Sequence, residues 1–252
     1  MTTSASRSAA SSQPEQTRRV AAATFIGTAI EWYDFTIYGA AAALIFAPQF
    51  FPSVSPVAGT LFAFGTFAVG FIARPIGGIV FGHFGDRVGR RGALVASLLL
   101  MGVGTFLIAL LPNFAQIGVA APVLLVALRF VQGLGVGGEW GGAVLMAMEH
   151  APPERRGYYS SFPQMGLPAG TLLSNLTFLG VAASMPPEQF AAWGWRIPFV
   201  LSAVLVVVAL VVRLRLAESP EFAVARDRGR VRRVPAVDVL RPLWTAEVAR
   251  SN

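Results

Sequence analysis

Residues 82–91 read Gly82-His83-Phe84-Gly85-Asp86-Arg87-Val88-Gly89-Arg90-Arg91, a short run carrying four charges. An apolar stretch lies on either side, Val57–Phe81 before it and Gly92–Leu111 after it. A helix that crosses the hydrocarbon of a bilayer needs about 20 apolar residues. Both flanks reach that length, so residues 82–91 read as a tight basic joint between two membrane-spanning helices.

The same alternation extends outward in both directions. Val20–Ala47, Ala120–Met148, Tyr159–Met185 and Trp195–Val212 are four more apolar stretches of spanning length. Prolines mark the joints at Pro48, Pro52, Pro56, Pro112, Pro152, Pro153, Pro186 and Pro187, where a helix cannot easily continue. Long β-branched alternation is absent, which argues against a transmembrane barrel. The chain is 54% hydrophobic and 13% charged, about half the charged fraction of a soluble domain. An all-α membrane protein with a six-helix transmembrane bundle is expected.

Arginine sets the expected orientation. All twenty basic residues are Arg, and there is no Lys. Arg7, Arg18 and Arg19 precede the first span, Arg87, Arg90 and Arg91 lie between the second and third, and Arg155 and Arg156 lie between the fourth and fifth. A further run begins at Arg213. The joints 48–56, 112–119 and 186–194 contain no Arg. Positive residues stay on the cytoplasmic side, so a multi-pass protein of the cytoplasmic (inner) membrane with both termini in the cytoplasm is expected. Residues 1–17, rich in Ser, Thr, Ala and Gln, read as a disordered cytoplasmic tail. Residues 18–213 read as the bundle, and 214–252 as a basic cytoplasmic segment drawn to anionic lipid. The net charge of +7 therefore points to the bilayer and not to nucleic acid. A cleaved signal peptide is disfavoured, because the first apolar stretch is too long and contains Glu31 and Asp34.

Ionisable groups inside the spans carry the functional argument. Each costs about 2.5–3.5 kcal/mol to insert, so each should face protein or water, and function is the default hypothesis. On the first span Gly27, Glu31, Asp34 and Tyr38 follow at steps of four, three and four, which places them on one helical face. A network that only fixes packing is the alternative for this stripe. On the fourth span Arg129, Gly133, Gly137 and Gly141 recur at steps of four, a spacing that lets helices approach closely. Gln132 and Glu139 share a neighbouring face. Gly70, Arg74, Gly78 and Gly82 repeat the device on the second span, which makes Arg74 a packing residue on a glycine seam. At about 1.5 Å per residue, Glu31 and Asp34 lie roughly 15–20 Å deep from one side. Arg129 lies roughly 13 Å from the other, so a carboxylate of the first span is expected to meet the Arg129 guanidinium. Spans 1–3 and 4–6 cross in opposite senses, which matches the inverted repeats of secondary transporters.

The run Gly82–Arg91 resembles the G-x-x-x-D-R-x-G-R-R/K signature of the major facilitator superfamily, and Arg129-Phe130-Val131-Gln132-Gly133 resembles its R-x-x-Q-G element. Gly27–Phe35, Arg74-Pro75, Gly137–Gly142, Trp195–Phe199 and Glu218–Phe222 resemble the metabolite:proton symporter family, over about residues 18–225. The resemblance implies the N-terminal half of a major facilitator fold. It also implies proton-coupled symport of a small organic acid or zwitterion by alternating access. On that reading Glu31, Asp34, Tyr38, Arg129, Gln132 and Glu139 serve substrate and proton. Gly82, Asp86, Arg87, Gly89, Arg90 and Arg91 form a cytoplasmic gate, with Glu149 beside them. Breaking a pair between Arg129 and Glu31 or Asp34 would leave the carboxylate to take up a proton. Family members have twelve helices, so a second six-helix bundle, or a second copy, is the expected partner.

The rival reading is a non-transporting remnant or half-unit. An enzyme is not expected, since HExxH, GxSxG and P-loop patterns are absent. No cofactor or metal is implied. Gln164 and Asn175 on the fifth span either line a cavity or join helices.

Overall fold

The computed structural model describes residues 3–214, with side chains from Glu15 onward except those of Val88, Arg90 and Trp140. The basic segment 215–252 lies outside the described residues. Six long helices account for most of the chain: α1 (Thr3–Ala41), α2 (Pro56–Val88), α3 (Arg90–Leu110), α4 (Ala120–Glu149), α5 (Arg156–Ala183) and α6 (Arg196–Leu214). Short helical turns at Ala42–Phe46, Ala47–Phe50, Phe114–Ile117, Pro153–Arg155, Pro187–Gln189 and Phe190–Gly194 fill the joints, and there is no strand among the described residues.

Helices α2 to α6 are long and apolar enough to cross a membrane. Helix α1 has the length, but Glu31 and Asp34 lower its hydropathy. It begins at Thr3, so residues 3–17, expected to be disordered, continue the helix. Extending a formed helix avoids the nucleation cost that an isolated segment bears. Local chemistry sets the other ends. Ser55 caps α2 ahead of Pro56 by accepting from the Ala58 amide at 3.4 Å. Asn113 and Gln116 form a reciprocal capping box at the turn before α4. Gly89 joins α2 to α3 with φ 117° and ψ 146°, a conformation that a Cβ would oppose.

Hydrogen bonds at the two ends establish that the helices alternate. At one end, Gln49 Nε2 donates to the Ala191 carbonyl (2.8 Å), Asn113 Nδ2 to Gln49 Oε1 (3.0 Å), and Arg196 Nη2 to the Leu111 carbonyl (3.1 Å). The joints α1–α2, α3–α4 and α5–α6 therefore gather there. At the other end, Thr17 Oγ1 donates to the His150 carbonyl (2.7 Å) and Arg91 Nη2 to the Leu214 carbonyl. The arginines of the joints lie at that second end. Arg196 stands at the first, tied to backbone carbonyls.

Packing follows the inverted repeat. Helix α1 packs chiefly on α5, α2 on α4, and α3 on α4 and α6. Exchanging the triplets α1–α3 and α4–α6 maps α1·α5 onto α4·α2 and α3·α6 onto itself. Glycine permits the α2–α4 approach. A Cβ on Gly133 would lie 2.5 Å from the Gly70 carbonyl oxygen, and one on Gly137 would lie 2.7 Å from the Gly78 amide. A Cβ on Gly141 meets nothing within 4 Å, so the expected seam ends at Gly137 as the two helices part. An aromatic cluster of Phe46, Phe50, Trp195 and Phe199 closes the Arg-poor end. Trp195 stands 5.5 Å from Phe46 and 5.7 Å from Phe199, both edge to face.

Candidate functional site

The face of α1 bearing Gly27, Glu31, Asp34 and Tyr38 is buried against α2, α3, α4 and α6, and each position on it meets a different partner. Tyr38 Oη hydrogen-bonds Thr66 Oγ1 of α2 at 2.6 Å. The Arg129 guanidinium lies over the Tyr38 ring, 4.1 Å from its centre, with Phe67 and Phe35 at 5.1 and 5.3 Å. A desolvated guanidinium on an aromatic face gains about 2 kcal/mol, which helps to hold a cation that is only 2% exposed.

Asp34 and Arg129 are joined through side chains and not by direct contact. Thr105 Oγ1 of α3 donates to Asp34 Oδ2 at 2.8 Å, and Ser202 Oγ of α6 donates to Asp34 Oδ1. Gln132 Nε2 donates to Thr105 Oγ1 at 2.6 Å, and Arg129 Nη1 donates to Gln132 Oε1. The expected direct pair between an α1 carboxylate and Arg129 is therefore replaced by a relay. Thr105 and Gln132 bridge the two charges by hydrogen bonds.

Glu31 finds a different cation. Its Oε1 lies 4.0 Å from Arg74 Nη2 on α2. The Arg74 guanidinium stands over Phe35 (4.5 Å), Phe71 (5.1 Å) and Trp32 (5.9 Å). Arg74, expected only to pack, thus belongs to the charged row. Asp34, Arg74, Arg129 and Gln132 line one cleft with Phe35, Gly70, Gly133 and Val136, a cleft too narrow to hold a water molecule. Three buried atoms beside it lack a hydrogen-bond partner: Glu31 Oε2, Arg74 Nη2 and Arg129 Nε. Native interiors rarely leave such groups unsatisfied.

Glu139, expected near Gln132 in the substrate region, sits further toward the Arg-bearing end. Arg213 Nη1 donates to Glu139 Oε2 at 2.7 Å, and Nη2 donates to Oε1. Arg213 Nη1 also reaches the Leu94 carbonyl at 2.9 Å, and Ser97 Oγ donates to Glu139 Oε2 at 3.4 Å. Gly27 is what makes room, since a Cβ there would stand 2.8 Å from Glu139 Oε1. From the sequence, Arg213 is only the last residue of the bundle and the first of a run of arginines, with no partner assigned to it. The missed signal is its register: Ser202, Val206, Ala209 and Arg213 are buried at steps of four, three and four, the spacing of the α1 stripe. Thr105 was missed in the same way, lying four residues beyond Met101 and eight beyond Ser97 on the buried face of α3.

At the joint of residues 82–91, Gly89 takes the positive φ and Arg91 caps α6 through the Leu214 carbonyl. Gly82, Asp86 and Arg87 are exposed there, and the Arg90 side chain lies outside the described residues. Gly82 and Asp86 line a cleft of about 420 Å³ with Gly137 and Gly141. Glu149 is the last residue of α4 at the same end. Gln164 and Asn175 are exposed and lie outside the charged cleft.

Comparison with known proteins fits this arrangement. Residues 20–237 match the sugar (and other) transporter family. The chain is 57% identical over 204 residues to the inner membrane metabolite transport protein YhjE of Escherichia coli K12, covering 81% of this chain and 46% of that one. It is 49% identical over 225 residues to the shikimate transporter of the same organism, covering 88% and 51%. The chain thus spans about half the length of the curated relatives it matches. The fold is that of the Escherichia coli proton:xylose symporter XylE, with a TM-score of 0.75 at 22% identity over 91% of this chain and 50% of that one. The chain belongs to the sugar (and other) transporter family, and its six helices form half of the fold that XylE shows.

Proposed function

We propose that the chain is the first half of a proton-coupled carrier for a small organic acid or zwitterion, working by alternating access with a second six-helix bundle. The observation that carries this reading is the pair of unsatisfied guanidinium nitrogens, Arg74 Nη2 and Arg129 Nε, beside one cleft that also contains Asp34. A carboxylate presents lone pairs that suit such forked donors. Shikimate, named for one relative, belongs to that chemical class.

Coupling follows from competition. Glu31 shares Arg74, and the hydrogen bonds that hold Asp34 among the described residues come from hydroxyls. An incoming carboxylate that recruits Arg74 leaves Glu31 alone in a dry site, where an unpaired charge is too costly to keep. A proton neutralises it, so substrate and proton enter together. On the same reading the Arg-bearing end faces the cytoplasm of the inner membrane, as the positive-inside rule requires, and the 82–91 joint works as the gate on that side.

The test is uptake of labelled carboxylates into energised proteoliposomes by the chain joined to the second bundle of a full-length relative. Arg129→Ala and Arg74→Ala should each abolish accumulation, while Glu31→Gln should retain exchange and lose the dependence on a proton gradient. Unchanged proton-driven uptake with Arg129→Ala would refute the assignment. Uptake by the unextended chain would favour two copies assembling in place of a second bundle.

A further inference from the structure

A separate cleft of about 340 Å³ opens between α1 and α5 at the Arg-bearing end, lined by Arg18, Ala21, Arg155, Tyr158, Tyr159 and Phe162. None of these residues belongs to the charged row of α1. The walls are fixed in place. Thr17 ties α1 to the His150 carbonyl, and Ala21, Ala151 and Tyr159 form a buried cluster with Phe162 against it. The rings of Tyr158, Tyr159 and Phe162 contact one another at 5.2 to 6.0 Å. Arg18 and Arg155 are exposed at the rim. Among the described residues neither has an ion-pair or hydrogen-bond partner. The adjacent Arg19, by contrast, is paired with Glu15 at 2.5 Å.

An apolar track leads away from the cleft. Tyr158, Phe162, Met165, Leu172, Leu176 and Leu179 follow at helical spacing along one face of α5, from Tyr158 at 63% exposure to Leu179 at 66%. Arg18 lies just before the apolar part of α1, and Arg155 immediately precedes α5. Both arginines thus stand at the Arg-bearing end of the bundle, beside the start of this track.

We propose that this cleft binds the phosphate headgroup of an anionic phospholipid, with its acyl chains laid along the α5 track. Guanidinium forks match phosphate oxygens. Tyrosines belong at the membrane–water interface, and basic pockets between spanning helices take anionic headgroups. A free phosphate would engage the two arginines but would leave the track unused, and the continuity of cleft with track commits the site to a lipid. The proposal does not depend on what the bundle transports.

Purified full-length chain in neutral detergent is titrated with phosphatidylglycerol, phosphatidylcholine or inorganic phosphate. Thermal unfolding and native mass spectrometry report stabilisation and retained lipid. Phosphatidylglycerol should stabilise and remain bound, while the other two should do neither. Arg18→Gln with Arg155→Gln should weaken phosphatidylglycerol binding about thirtyfold, the share of two basic residues. The control pair Arg19→Gln with Arg87→Gln, equal in charge but outside the cleft, should leave it unchanged. Equal losses in both pairs would reduce the effect to general surface charge and overturn the site. Protection by inorganic phosphate as strong as by the lipid would overturn the lipid assignment. Both pairs alter exposed side chains, and unfolding in detergent alone verifies that they fold.

Discussion

Arg213 clasps Glu139 with both terminal nitrogens, and so the last turn of α6 is fastened to the interior of α4 next to α1. Both side chains are almost wholly buried, at 3% and 2% of their exposed areas. Such a pair is costly to desolvate, and its neutral replacement is often tolerated, whereas removal of one partner leaves an uncompensated charge. The pair therefore constrains which substitutions the bundle accepts more than it contributes net stability.

From this asymmetry, Arg213→Gln and Glu139→Gln should each destabilise the bundle by about 3–5 kcal/mol. The double substitution should recover a large part of that loss. Gly27→Ala should perturb the same pair without removing a charge, because its Cβ would intrude on Glu139 Oε1, at about 1–3 kcal/mol. Denaturant unfolding of the four variants in detergent measures the cycle, and additive losses in the double variant would contradict the pairing.

The glycine seam makes a contrast that composition alone does not. Gly137→Ala should force α2 from α4, where its Cβ would crowd the Gly78 amide at 2.7 Å, and should cost about 1–3 kcal/mol. Gly141→Ala, in open space on the same helix, should be neutral or should stabilise by up to about 1 kcal/mol through helix propensity. Thermal unfolding of the two variants side by side decides the matter.

Gly89 carries φ 117° at the turn between α2 and α3. Gly89→Ala should cost about 1–3 kcal/mol through backbone strain, with Arg91 drawn off the Leu214 carbonyl as α3 shifts. Gly82→Ala, which meets nothing within 4 Å on an ordinary helical turn, should cost little. Protease sensitivity of the α2–α3 joint, compared in these two variants, is the readout.

The fold was legible because two periodicities are written plainly into the chain. Spanning-length apolar runs separated by arginine or proline define the six helices. The steps of four, three and four at Gly27, Glu31, Asp34 and Tyr38 define the buried face of α1. What the pattern does not encode is which helix each polar group meets, since that depends on crossing angles. Depth counting places Arg129 opposite the α1 carboxylates, yet it reaches Asp34 only through Gln132 and Thr105, and Arg74 comes from α2 to take Glu31. Arg213 was hidden by its company, one arginine preceding many, although its register on α6 matches Ser202 and Ala209.

The hydroxyls around Asp34 give the sharpest test of the relay. Thr105 and Ser202 supply the hydrogen bonds on its two oxygens, and bonds to an ionised group contribute about 1.5–3 kcal/mol each. Thr105→Val and Ser202→Ala should each destabilise by that order, with Thr105→Val the more severe because it also strands Gln132 Nε2. In the double variant the Asp34 carboxylate has lost both donors, and Asp34→Asn should then be close to neutral or stabilising. In the unaltered background Asp34→Asn should be destabilising, because its amide presents a donor to one hydroxyl that already donates. Unfolding free energies across this cycle report the coupling directly. If Asp34→Asn costs the same in both backgrounds, the two hydroxyls do not support the carboxylate, and the path from Asp34 through Thr105 and Gln132 to Arg129 has no energetic basis.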